Sequence, residues 1–200
     1  FSNLGIVYKA LGEYQESLKY LRKALKIRKV LYKEKHPQLA DAFNNVGSIY
    51  RNLGQYQKAL KYCQQALDMR EALYKGNHPH IGQSINSIGL IYKALNKPQE
   101  ALKYLKQALE MRKALYTGHH PKVSQSYSNV GNVYKTLGNY QEALRYYQQA
   151  FEMKKQLYRG SHPSMIILLN NLGDIYTQLG KKTEAEKYYQ QALEMRKINL

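Results

Sequence analysis

The chain of 200 residues holds a single cysteine, Cys63. No internal disulfide can form, so packing alone must hold the fold, and this cysteine usage fits a reducing, intracellular and cytoplasmic setting. Five prolines and thirteen glycines are too few for a disordered or low-complexity segment. No apolar run reaches the ~18 residues of a membrane-spanning helix. Phe1 to Tyr14 is mixed and polar, without a basic stretch followed by an apolar core, so these residues are not expected to be a secretory leader. The chain's first residues fall partway through a repeat, and the expectation is a piece of a longer protein. Acids are scarce, at fourteen against thirty-one lysines and arginines. The resulting net charge of +17 would attract acidic peptides, nucleic acid or an anionic surface, and composition does not choose among them.

What the chain has in abundance is periodicity. Glycine recurs at Gly5, Gly47, Gly89, Gly131 and Gly173, a step of 42 residues. Tyr8, Tyr50, Tyr92, Tyr134 and Tyr176 keep the same step, as do Ala24, Ala66, Ala108, Ala150 and Ala192. His-Pro marks each junction, at His36-Pro37, His78-Pro79, His120-Pro121 and His162-Pro163. A fixed period of this size dictates a repeat architecture. Five hairpins follow, at about 1–35, 36–77, 78–119, 120–161 and 162–200.

Each repeat reads as two helices. Ala42, Phe43, Val46, Ile49, Tyr50 and Leu53 form one apolar helical face, and Gly54 suits the left-handed turn after it. Tyr56, Ala59, Leu60, Cys63, Ala66, Leu67, Leu73 and Tyr74 form the stripe of a second helix. Pro79 then opens the next first turn, where its missing amide hydrogen costs nothing. Gly47, Ala59 and Ala66 stand where helices must approach closely, so bulk there would force the axes apart.

Phe43, Val46-Gly47, Tyr50, Ala59, Cys63 and Ala66 resemble the tetratricopeptide pattern, and Tyr127, Val130-Gly131, Tyr134, Ala143, Tyr147 and Ala150 match it more fully. The 42-residue period, with its longer second helix and His-Pro turn, looks like the repeats of kinesin light chains. The resemblance implies an all-α fold, a right-handed superhelical solenoid of antiparallel helix hairpins. It also implies a protein-binding scaffold rather than an enzyme. Departures fall in the first repeat, where Ser17 replaces the crossing alanine, and in the third, which has Ile85 for the first aromatic, Asn96 for the helix-ending glycine and Pro98 just after it. A slightly altered corner is expected there, without a break.

Repeat proteins bind partners on the extended inner wall made by the first helix of each pair. One row along that wall is Asn3, Asn45, Ser87, Asn129 and Asn171, where asparagine can both donate to and accept from an extended backbone. A second row is Lys9, Arg51, Lys93 and Lys135, a ladder suited to carboxylates. Asn44, Ser48, Asn86, Leu90, Asn132, Asn170 and Asp174 complete the candidate peptide-binding set. In proteins that resemble this one the same helix positions form the peptide groove. The expected partner is a protein or peptide, acidic or carboxylate-bearing.

Other classes fare worse. The junction histidines are one hairpin apart, whereas zinc needs its nitrogen ligands at about 2 Å, so no metal or other cofactor is expected. No phosphate-cradling loop, nucleophile elbow or paired carboxylates appear, and no small-molecule substrate is expected. Nucleic-acid binding through diffuse cations ranks second, and a structural or self-associating spacer third. The charge is heaviest in residues 1–36, through Lys19, Arg22, Lys23, Lys26, Arg28 and Lys29, which fall on the second helix, away from the expected groove.

Overall fold

The computed structural model describes residues 1–158 and 162–198, and among them are ten α-helices and no strand. They are α1 (Ser2–Ala10), α2 (Tyr14–Leu31), α3 (Pro37–Asn52), α4 (Tyr56–Leu73), α5 (Pro79–Ala94), α6 (Pro98–Leu115), α7 (Pro121–Thr136), α8 (Tyr140–Leu157), α9 (Pro163–Gln178) and α10 (Lys182–Ile198). The expected all-α fold of helix hairpins is the one found. Residues 159–161 and 199–200, at the edges of the expected fourth and fifth hairpins, lie outside the described residues. The chain divides into two compact units, Phe1–Ala108 and Leu109–Leu200, with the boundary inside α6.

Two kinds of corner make the hairpins. The first follows α3: Gly54 takes φ 72°, its amide donates to the Arg51 carbonyl, and the Gln55 amide donates to that of Tyr50 at 2.8 Å. This pair of bonds satisfies carbonyls that the helix end would leave open, and the left-handed residue it needs is cheapest as glycine. Asn96 holds the same position after α5 with φ 55°, so the corner forms without glycine and Pro98 starts α6 normally.

The second kind joins one hairpin to the next. His78 caps α5, its Nδ1 accepting from the His80 amide at 3.3 Å, and Pro79 occupies the first helical position. The imidazole also stacks on Tyr74, with ring centroids 3.6 Å apart. Tyr32–His36, Tyr116–His120 and Tyr158–His162 repeat the stack at 3.6, 3.7 and 3.8 Å. The histidines thus shape their own turns.

Packing within a hairpin is tightest at the repeating glycine. A Cβ placed on Gly47 would sit 2.6 Å from Cys63 Sγ and 3.2 Å from the Ala59 carbonyl oxygen. Ala59, Cys63 and Ala66 are fully buried. Burial pushes the Cys63 thiol up to about 12, which makes it an inert packing group at neutral pH. Ser17 fills the crossing position of the first hairpin. Buried there, it donates its hydroxyl to the Gly5 carbonyl at 2.7 Å.

A further row stitches each hairpin to the next. Arg28, Arg70, Arg112 and Lys154 reach the carbonyl oxygens of Gln38, His80, Lys122 and Ser164 at 3.0, 2.8, 3.2 and 3.2 Å. Arg70 and Arg112 also donate to Ser84 and Ser126, each at 2.7 Å, and both are buried. The hydroxyls explain the burial: a guanidinium carries five donors and tolerates desolvation only when they are met. Where the chain has Ala42 or Leu168 in place of the serine, Arg28 and Lys154 stay half-exposed.

Candidate functional site

All sixteen candidate residues lie on first helices: α1, α3 and α5 in the first unit, α7 and α9 in the second. In the first unit Lys9 reaches from α1 to α3 and donates its ammonium to Ser48 Oγ at 2.8 Å. Arg51 is half-buried one turn further along α3. Desolvation first, and the Arg51 charge second, hold Lys9 below the usual lysine range. No carboxylate pairs with Lys9 or Arg51 among the described residues.

The asparagines of this unit divide by one residue of helical rotation. Asn3 is exposed and Asn45 half-buried, with Ser87 half-buried on α5. Asn44 is buried, at 4% exposure, and its Oδ1 has no hydrogen-bond partner. Asn86 is buried as well and makes an interaction of its own, as does half-buried Lys93. Leu90 is half-buried.

The second unit arranges the same positions differently. Lys135 on α7 pairs with Asp174 Oδ2 on α9 at 2.6 Å, the counterpart of Lys9 on Ser48 one repeat step apart. Asp174 Oδ1 accepts from the Tyr189 hydroxyl at 2.8 Å, and Asn132 Oδ1 accepts from that of Tyr147 at 2.7 Å. Burial and, second, the Asp174 charge raise the Tyr147 hydroxyl well above the usual tyrosine range, so it stays a donor. Lys135, Asp174, Thr177, Gln178, Tyr140 and Tyr189 line a hollow of about 300 Å³. Asn129, Asn170 and Asn171 are half-buried.

The cation row is therefore uneven: its Lys135 step is neutralised by Asp174, while Lys9 and Arg51 pair with no carboxylate among the described residues. Tyr147 and Tyr189, whose polar role was missed in the sequence, bond to Asn132 and Asp174 from the second helix. Their only sequence signal is a phenol where Leu21, Cys63 and Leu105 stand in the other repeats.

Tetratricopeptide repeat family models match residues 1–52, 39–114, 102–156 and 122–198. The chain belongs to the tetratricopeptide repeat family. No curated protein matches it in sequence. Among solved structures it is similar to BtubC (BKLC) from P. vanneervenii, with a TM-score of 0.85 and 22% identity over 98% of this chain and 78% of that one. A Podosopora anserina protein with nearly identical TPR-like repeats of the kinesin light chain kind matches with a TM-score of 0.80 and 22% identity, over 98% and 92% of the two chains. The Rap conjugation gene regulator of plasmid pLS20, solved in complex with a peptide, matches with a TM-score of 0.78 and 20% identity over 98% of this chain and 52% of that one. These likenesses establish the fold, an all-α chain of repeated helix hairpins.

Proposed function

We propose that the chain is a non-catalytic interaction scaffold whose first helices hold a protein segment, and that a carboxylate of the segment is taken by Lys9 and Arg51. The observation that carries this reading is the state of those two side chains. Lys9 is held on a neutral hydroxyl and depressed by desolvation first and the Arg51 charge second, and no carboxylate pairs with either cation among the described residues. An incoming carboxylate would relieve the repulsion and accept charge-assisted hydrogen bonds, the stronger kind in a partly desolvated setting. Asn45 and Ser48 beside them offer donors and acceptors to a backbone. The peptide complex formed by the structurally similar Rap regulator supports the class of partner.

The test is selection from an unbiased peptide library, followed by binding of the enriched peptides to Lys9→Glu, Arg51→Glu and Lys135→Glu variants. Enriched acidic peptides should lose at least about tenfold in affinity, roughly 1.4 kcal/mol, with either of the first two changes. Acidic peptides indifferent to both would remove the carboxylate from this pair. No enrichment at all would favour a spacer.

A further inference from the structure

We propose a second docking surface, on the second helices of the first unit: a basic hollow between α2 and α4 that takes an acidic, amphipathic helical segment of a partner protein. The hollow has a volume of about 580 Å³ and is lined by Lys19, Arg22, Lys23, Lys26 and Lys29, with Leu25 and Tyr62 as its apolar part. Lys19 bonds to Glu16 at 3.0 Å, whereas Arg22, Lys23, Lys26 and Lys29 have no carboxylate partner among the described residues.

The chain carries its own control for this patch. At the positions of Arg22, Lys23 and Lys26, α4 has Gln64, Gln65 and Asp68, and α8 has Gln148, Gln149 and Glu152. α6 has Lys106, Gln107 and Glu110, and α10 has Gln190, Gln191 and Glu194. Four repeats thus place an acid where the first places Lys26, and all five build the same hairpin. The architecture does not require the cations, and clustering like charges along one helix face works against it. A solvated face would need no such departure from the repeat, while a site for an anionic partner would.

Geometry and chemistry select the partner. Lys19, Arg22, Lys26 and Lys29 stand at steps of three, four and three residues with Lys23 next to Arg22, and Lys19 to Lys29 spans about 15 Å along the helix axis. An opposing helix with acids at three- and four-residue steps meets these cations, and its apolar edge meets the half-buried Tyr62, the helix-in-groove mode. Single-stranded nucleic acid would instead want free aromatic faces for its bases. Tyr62 already stacks on Tyr50 with centroids 5.4 Å apart and leans on Phe43 at 6.2 Å.

The experiment is fluorescence anisotropy on the whole chain with two labelled probes. One is a helical peptide of about 15 residues, with glutamates at three- and four-residue steps and leucines on the intervening face. The other is oligo(dT) of about 20 nucleotides. The variant is Arg22→Gln with Lys23→Gln and Lys26→Glu, which gives the first repeat the residues its siblings carry and so preserves the hairpin, as circular dichroism would verify. The peptide should bind the parent chain, lose at least about tenfold in affinity with the triple change, and lose clearly less with Arg51→Glu than with the triple change. Equal binding to parent and triple variant would overturn the proposal, as would tighter binding of oligo(dT) than of the peptide. Because Arg51→Glu probes the other face, failure here and failure of the Lys9–Arg51 reading give different patterns.

Discussion

Lys135 and Asp174 form an ion pair at 2.6 Å between first helices of the second unit, at the position where the first unit sets Lys9 on Ser48. A cation already matched within the chain has little to offer an incoming carboxylate, because binding would first have to compete with Asp174. Lys135→Glu should therefore weaken an acidic groove peptide less than threefold, against at least about tenfold for Arg51→Glu. Titration of one selected peptide against both variants checks this, and equal losses would contradict it.

Arg70 imposes a stability requirement. Its side chain is 2% exposed and donates to Asp41 on α3, Ser84 and the His80 carbonyl on α5, so one guanidinium ties three helices. Asp41→Ala would leave a buried cation short of its counter-charge. The half-open position of Asp41 lets water replace part of the loss, and the expected cost is about 1–3 kcal/mol by chemical denaturation. Asp41→Asn, which keeps an acceptor, should cost less.

Gly47 and Cys63 should show a coupled cost. Gly47→Ala gains up to about 1 kcal/mol of helix propensity but forces Cβ against Cys63 Sγ at 2.6 Å, and overpacking of about 1–3 kcal/mol should win. Cys63→Ala removes the obstructing sulfur at the price of a small cavity. The double variant should be more stable than the sum of the single changes by at least about 0.5 kcal/mol. Strict additivity in denaturant melts would refute the close-contact account.

The helices that carry these side chains follow from features that were legible in the sequence. The 42-residue step, the glycine-to-alanine crossings and the His-Pro junctions placed each hairpin. The candidate face was less legible, because it depends on rotation and on neighbours. Asn44 and Asn45 differ by one residue, about 100° around the helix, and that turn separates a buried amide from a half-open one. Lys135 and Asp174 are 39 residues apart, a register that exists only once two first helices lie side by side. Nothing local in the sequence marks Arg70 and Arg112 as the buried members of the row Arg28, Arg70, Arg112 and Lys154.

Asn96 is the non-glycine residue at positive φ among the described residues, at 55°. Asparagine tolerates this region better than most residues but still pays a steric cost that glycine avoids. Asn96→Gly should raise stability by up to about 1 kcal/mol without altering the α5–α6 corner, since glycine holds the same corner at Gly54 and Gly138. Unfolding midpoints and amide spectra would check both parts.

His78 and His120 give the chain a pH dependence whose sign follows from their capping geometry and lowered pKa. Each caps its helix by accepting a backbone amide at Nδ1, which a protonated ring cannot do. For His120, desolvation, then Lys122, then Arg112 lower the pKa; for His78 desolvation leads, followed by His80 and Arg70. The unfolded chain, with histidine near its ordinary value of about 6.5, then binds protons before the folded one does. Stability is full above that value and falls as pH drops through it toward the lowered folded pKa. Thermal unfolding at pH 7.5 and 5.5 should therefore show a lower midpoint at the acidic end. His120→Asn keeps a capping acceptor that does not titrate in this range, so the variant should lose part of the pH dependence while remaining folded. An unchanged slope would move the effect away from the caps.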